Sequence, residues 1–350
     1  MNVPEFLACP ECHAEELAWS DALPPSPAPF DSREGLVCRA CGRCFPRVDG
    51  VWVLWTDQVK ALQYAAPEAD APIADRVRWA NLQIYDQVSD AYGEHCDDLH
   101  AYRETILFLK ALADDLQTPA PERARVQVDV GCAQGVGLEI GPQGYTHRVG
   151  VDLSLQNLRA VARKGFIAVL GDAGALPFRA GAIDMITCFA ALHHFPEPAA
   201  FMRSAHACLR DGGVLVTGGD PSRRYGHLGP LARLVWEARK PVYRTMSRVS
   251  GKFFLHRDRR QQQLGDLAEY QRTGGGFSPD ALAGALLEAG FPAPRVFHGV
   301  DPGGRTRFAA PPWKVFMLKA LSLQNPWWVK NWVNLSTLAR KGEASQAAER

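Results

Sequence analysis

Val128-Asp129-Val130-Gly131-Cys132-Ala133-Gln134-Gly135-Val136-Gly137 decides the fold. A β-branched run enters a loop of small residues, where the backbone can come close to a ligand. About twenty residues on, Val149-Gly150-Val151-Asp152 is a second short apolar run ending in a carboxylate, which in a βαβ unit reaches the ribose hydroxyls of a nucleotide-like cofactor. A dinucleotide asks for G-x-G-x-x-G, so that its pyrophosphate sits on the helix N-terminus. In frame with Gly131 the chain offers Ala133 and Val136 instead, which argues against a nicotinamide cofactor.

Three further segments narrow the reading: Val169 to Phe178 (VLGDAGALPF), Ile183 to Phe195 (IDMITCFAALHHF) and Leu209 to Val216 (LRDGGVLV). With the glycine loop they resemble, in order and spacing, class I S-adenosylmethionine-dependent methyltransferases over residues 100 to 300, with Ala133 replacing the middle glycine of the usual loop. The resemblance implies an α/β fold with a doubly wound, Rossmann-like sheet. It implies that Gly131, Ala133 and Gly135 contact the methionine part of the cofactor and that Asp129 orders the loop through backbone contacts. Asp152 would bond the ribose hydroxyls, Leu153 pack against adenine, and Asp172 accept from the adenine amino group. Ala173 and Phe189 complete the cofactor-binding set.

Methyl transfer from a sulfonium needs the nucleophile in line with the methyl carbon, so positioning and desolvation are the main tasks. His193 and His194 follow the fourth strand of the domain, where an imidazole can take a proton from a hydroxyl, phenol or amide. Asp220, just after the fifth strand, is the third catalytic candidate, and Tyr225 and His227 are further pocket candidates.

Five of the nine cysteines fall in the first 55 residues. Cys9-Pro10-Glu11-Cys12 and Cys38-Arg39-Ala40-Cys41 are two C-x-x-C pairs separated by 25 residues, the spacing by which two knuckles deliver four thiolates to a tetrahedral, structural zinc. Cys44 is a fifth thiol with no place in a closed site, and Cys96, Cys132, Cys188 and Cys208 read as small buried residues. The stretch Gly42 to Leu54 resembles the small zinc-ribbon proteins that act as activating partners of methyltransferases, here fused to the enzyme. It also shares features with ribosomal RNA guanine methyltransferases that carry an N-terminal zinc finger. We therefore expect an independent zinc β-ribbon over 1–56.

The remaining organisation follows. Residues 57–125 read as a helical linker that covers the cofactor, 126–300 as the methyltransferase domain with an insertion at 219–276, and 301–350 as a basic, aromatic extension. Phe277-Ser278-Pro279-Asp280 caps a helix ending at Gly290, and a strand at Arg295 to His298 completes the sheet. The final ten residues read as disordered. With 350 residues and 47% hydrophobic content the chain can bury a sizeable core. It begins without a basic n-region or apolar h-region and contains no run of eighteen apolar residues, so a cytoplasmic protein without a transmembrane segment is expected.

The net charge of +1 conceals an asymmetry: residues 1–222 carry 18 Lys and Arg against 29 Asp and Glu, residues 223–341 carry 20 against 7. A basic last third attracts phosphates or anionic headgroups. Within it, Leu228 to Phe254 mixes apolar and basic residues as a cover over an apolar substrate or a peripheral membrane contact would, and Trp313, Trp327, Trp328 and Trp332 offer stacking surfaces for RNA. The leading expectation is S-adenosylmethionine-dependent methylation of a small-molecule or lipid-linked acceptor. The alternatives are an RNA base methyltransferase that grips RNA with its zinc ribbon, and a non-catalytic cofactor-binding partner protein.

Overall fold

The computed structural model describes residues 3–94, 99–117, 123–223, 228–238, 241, 242, 245, 249, 259–299, 313–325 and 334–342. Tyr225, His227, Cys96, Trp327, Trp328, Trp332, the basic residues between 243 and 258 and the final eight residues lie outside them.

The N-terminal segment folds into β1 (Leu17–Ser20), β2 (Gly35–Cys38), β3 (Cys44–Val48) and β4 (Val51–Val53). Then come α1 (Asp57–Tyr64), α2 (Ile73–Glu94) and α3 (Leu99–Asp115). The central part alternates strand and helix: β5 (Val126–Val130), α4 (Val136–Glu139), β6 (His147–Asp152), α5 (Leu155–Arg163), β7 (Ile167–Leu170), β8 (Ile183–Phe189), α6 (Pro198–Cys208) and β9 (Leu209–Asp220). After β9 stand α7 (Pro230–Ala238), α8 (Arg259–Ala268), α9 (Tyr270–Thr273), α10 (Pro279–Glu288), β10 (Arg295–His298), α11 (Trp313–Leu321) and β11 (Leu335–Arg340).

Strands β5 to β9 pair in parallel, the arrangement that helical crossovers produce. Their residues alternate between faces with the period of two that a strand imposes. Val128, Val130, Val149 and Val151 pack with Leu158 and Val161 of α5 and Phe201 and Met202 of α6. Met185, Val214 and Val216 pack on the opposite side with Ile106, Leu109 and Ala113 of α3. The sheet is thus wound on both faces, as the sequence predicts.

Two strand pairings differ from the sequence reading. The zinc ribbon is not independent: β4 runs parallel to β7, with Val51 opposite Ala168 and Val53 opposite Leu170, and Leu54 N–H donates to Leu170 O at 2.9 Å. The 11 strands among the described residues form one sheet, in the order β1-β2-β3-β4-β7-β6-β5-β8-β9-β11-β10. The physical reason is that β7 would otherwise be an open edge, and the wholly buried Val51-Trp52-Val53 both pairs it and shares its core. Second, β10 does not complete the sheet alone. β11, from the segment read as an extension, lies antiparallel between β9 and β10. Its Ser336 and Thr337 are buried by pairing their hydroxyls, Thr337 with Thr217 at 2.9 Å and Ser336 with Gly299 O at 2.6 Å.

Candidate active site

The ends of β5, β6, β7 and β8 open into one cleft of about 560 Å³. Asp129, Gly131, Ala133, Asp152, Leu153, Asp172, Ala173 and Phe189 all line it; Gly135 does not, and serves instead as the N-cap of α4 with φ +83°. Gly131 and Ala133 also hold positive φ, +69° and +45°. A Cβ on Gly131 would stand 2.4 Å from Ala191 Cβ, so only glycine lets the loop pass beneath the β8 turn. This loop of small side chains, flanked by two carboxylates, fits a nucleoside with an amino-acid tail.

Asp152 is fixed by the chain around it: Ala133 N–H donates to Oδ2 and Ser154 N–H to Oδ1, each at 2.9 Å. Both oxygens keep acceptor capacity for ribose hydroxyls. Burial pushes its carboxyl up to about 6. Asp129 behaves differently from the sequence expectation. Its carboxylate does not bond the loop backbone; it takes the Thr187 hydroxyl at 2.5 Å and lies against Gly137, where a Cβ would come within 2.3 Å of Oδ2. Burial pushes it too up to about 6. The loop is braced instead by Lys110 of α3, fully buried, whose Nζ donates to Gly137 O at 2.7 Å and to Ile140 O.

The three catalytic candidates are not equivalent. His194 lines the cleft, whereas His193 and Asp220 are not among its lining residues. His194 Nδ1 is 2.9 Å from Ala268 O, which only accepts, so Nδ1 carries the proton and Nε2 accepts from the Tyr85 hydroxyl at 3.1 Å. Burial drives its pKa down to about 3. His193 stacks on it at 4.1 Å and holds Asp220 Oδ1 at 2.9 Å through Nδ1. Desolvation lowers His193 to about 4 and raises Asp220, whose Oδ2 has no partner among the described residues.

Sequence reasoning expected a helical cover here but did not name the residues that reach the cleft. Helix α2 turns Arg78, Asn81 and Tyr85 toward the cleft. Arg78 Nε donates to Asp172 Oδ2 at 2.7 Å, and Asn81 Nδ2 donates to His194 O at 3.2 Å. Asp86, on the next residue, accepts from Ser154 Oγ at 2.5 Å. The signal was a polar stripe at helical spacing beside the apolar Ala80 and Ile84, which pack on Ala268 of α8. Arg103 of α3 was missed as well; it lines the cleft and pairs with Glu139 at 3.7 Å.

In the ribbon, the sulfurs of Cys9, Cys12, Cys38 and Cys41 all lie within 4.8 Å of one another. The distances Cys9 to Cys41, 3.7 Å, and Cys12 to Cys38, 3.5 Å, match the roughly 3.8 Å edge of a tetrahedron with zinc–sulfur bonds of about 2.3 Å. Cys44 stands outside the cluster, its thiol on Gly42 O.

Comparison with known proteins finds two segments of the chain similar to known families. Residues 128–217 match the methyltransferase domain model and residues 4–50 the Trm112p-like protein model. The ubiquinone biosynthesis O-methyltransferase of Ralstonia nicotianae is 33% identical over 107 residues, 29% of this chain and 45% of that protein. The enzyme of the same name from Psychrobacter arcticus is 31% identical over 98 residues, 25% of this chain and 38% of that one. The chain thus spans less than half the length of these relatives. A chain from the complex between the Haloferax volcanii Trm112 methyltransferase activator and a methyltransferase aligns at TM-score 0.43 and 14% identity, covering 75% of this chain and 98% of that one. The chain thus carries a segment similar to a methyltransferase domain and, before it, a Trm112p-like segment that holds the four-cysteine cluster.

Proposed function

We propose that this chain is an S-adenosylmethionine-dependent methyltransferase whose acceptor is a hydroxyl of a small or lipid-linked molecule. The observation that carries it is the single cleft uniting the loop at Gly131, the carboxylates of Asp152 and Asp172 and the His194–Tyr85 pair. The bound cofactor supplies an electrophilic methyl on a sulfonium. The chain supplies everything else. Asp152 accepts from the ribose hydroxyls, Asp172 from the adenine amino group, and the roof of α2 keeps water from the reacting atoms. Tyr85 receives the acceptor's hydroxyl proton at its oxygen as its own proton moves to His194 Nε2. Burial keeps His194 neutral and makes it a weak base, so the proton moves to it only as the new oxygen–methyl bond turns the acceptor's hydroxyl strongly acidic. The His193–Asp220 pair backs His194 and fixes the turn that carries it.

The O-methyltransferase names of the two relatives support oxygen as the accepting atom. An apolar acceptor is supported by α7, whose Leu231, Leu234 and Val235 stand exposed in the basic third of the chain. No described helix is long and apolar enough to cross a membrane, so contact with a bilayer would be peripheral. The four ribbon cysteines would hold zinc as a closed structural ion, an arrangement suited to a reducing compartment.

The test is to incubate the protein with methyl-labelled S-adenosylmethionine and fractionated bacterial extract, then count label in the lipid, small-molecule, protein and RNA fractions. Label in the lipid or small-molecule fraction supports the proposal. Label confined to RNA overturns the acceptor and makes the ribbon and basic face a nucleic-acid grip.

A further inference from the structure

Asp172 is the residue through which the cleft would recognise adenine, and its carboxylate is held from two directions. Oδ1 accepts Gly174 N–H at 2.9 Å, a local turn that the strand end builds by itself. Oδ2 accepts Arg78 Nε at 2.7 Å, from a helix 94 residues upstream. Arg78 is itself buried, lines the cleft, and has its other two nitrogens facing Asp75 at 3.8 Å and Glu197 at 3.5 Å. Three carboxylates therefore fix the guanidinium, and the guanidinium fixes the Asp172 carboxyl as an acceptor turned to the cleft.

We propose that Arg78 is a specificity-determining positioning residue: by locking Asp172 as a pure acceptor it makes the cleft select a 6-amino purine over a 6-oxo purine. This rests on the cofactor reading above. A 6-amino group donates to a fixed carboxylate. A 6-oxo group presents an oxygen to it instead, two acceptors face to face with no proton between them, and a site built to hydrogen-bond one group rejects the other strongly. If Arg78 is shortened, Asp172 keeps only its bond to Gly174, can rotate away, and the rejection of the 6-oxo group weakens. A role confined to holding α2 in place would lower affinity for both bases alike and leave their ratio untouched.

The experiment measures calorimetric affinity for S-adenosylhomocysteine and for its deaminated analogue S-inosylhomocysteine in the full-length, zinc-loaded protein, then in Arg78→Ala and Arg78→Lys. The wild type should prefer the adenine compound by about 100-fold or more, Arg78→Ala by about 10-fold or less, with Arg78→Lys between them because it keeps the charge but not the fork. Should Arg78→Ala fail to fold, as read from its circular dichroism, the decision rests on Arg78→Lys, which must narrow the wild-type ratio. An unchanged ratio in the folded variants, with both affinities reduced equally, overturns the proposal. A wild type that binds both compounds equally also overturns it, while leaving the cofactor reading standing. A wild type that binds neither overturns both.

Discussion

At the scale of single residues, the cleft concentrates buried charge, and burial sets how it responds to pH. Asp129 and Asp152 are each raised to about 6 by desolvation, above an ordinary carboxylate near 4. The folded protein thus holds their protons more tightly than the unfolded chain does. Their contribution to stability is full below the unfolded value and lost as pH rises through about 6. Cofactor binding runs the other way, because the ionised Asp152 is the better acceptor: affinity for S-adenosylhomocysteine should rise between pH 5 and 7.5 in a calorimetric titration. With saturating cofactor, kcat should stay level down to about pH 5, since His193 and His194 titrate near 4 and 3. A kcat limb near 6.5, the ordinary histidine value, would show that burial does not hold these histidines neutral in the complex. Asp152→Ala should weaken cofactor binding by about 1 to 3 kcal/mol, the loss of charge-assisted hydrogen bonds. Unchanged affinity would refute its placement. The carboxylates were legible because each ends a short apolar strand and its partners are local: Asp152 binds the amides of Ala133 and Ser154, Asp172 that of Gly174. Arg78 and Tyr85 were not, since each meets its partner about a hundred residues away and nothing in a helical stripe says which loop it will face.

At the scale of elements, a buried lysine ties α3 to α4. Lys110 donates to Gly137 O and Ile140 O, carbonyls at the end of the short α4. Lys110→Met fills the same space and leaves both carbonyls without that donor, so urea unfolding should show a loss of about 2 to 4 kcal/mol. A variant as stable as the wild type would show that water takes over the role. The ribbon's last strand makes a second test. Chelating zinc, or Cys38→Ser, should release the metal on elemental analysis and lower hydrogen-exchange protection at Leu54 and along β7, while β8 and β9 keep theirs. Protection at Leu54 that survives loss of zinc would show that β4 stays docked without its ribbon. The parallel strands were readable from their apolar runs and turn residues. β11 was not: Leu335-Ser336-Thr337-Leu338-Ala339-Arg340 has too little apolar alternation to announce a strand, and its burial depends on hydroxyl partners contributed by β9 and by Gly299.

At the scale of the whole molecule, ribbon, cofactor sheet and C-terminal strand share one hydrogen-bonded framework and a continuous core running from Phe6 and Cys9 to Leu335 and Ala339. Calorimetry should therefore record one unfolding transition that moves down in temperature when zinc is removed and up when the cofactor is added. Two separated peaks would restore the independent ribbon that the sequence suggested. The ribbon read as independent because composition changes at 56, but hydrogen bonding ties it to the sheet before that point: Cys spacing marks a ligand set, and only the pairing of Val51-Trp52-Val53 with Ala168-Val169-Leu170 reveals which surface that ligand set supports. The pairing also limits what the ribbon can do for other proteins. Its docking strand is held by a partner tethered in the same chain, at an effective concentration no freely diffusing methyltransferase can match. An edge already taken up in cis is not on offer in trans, and each copy of this protein carries its own β4 to cover its own β7, in a fixed ratio of one to one.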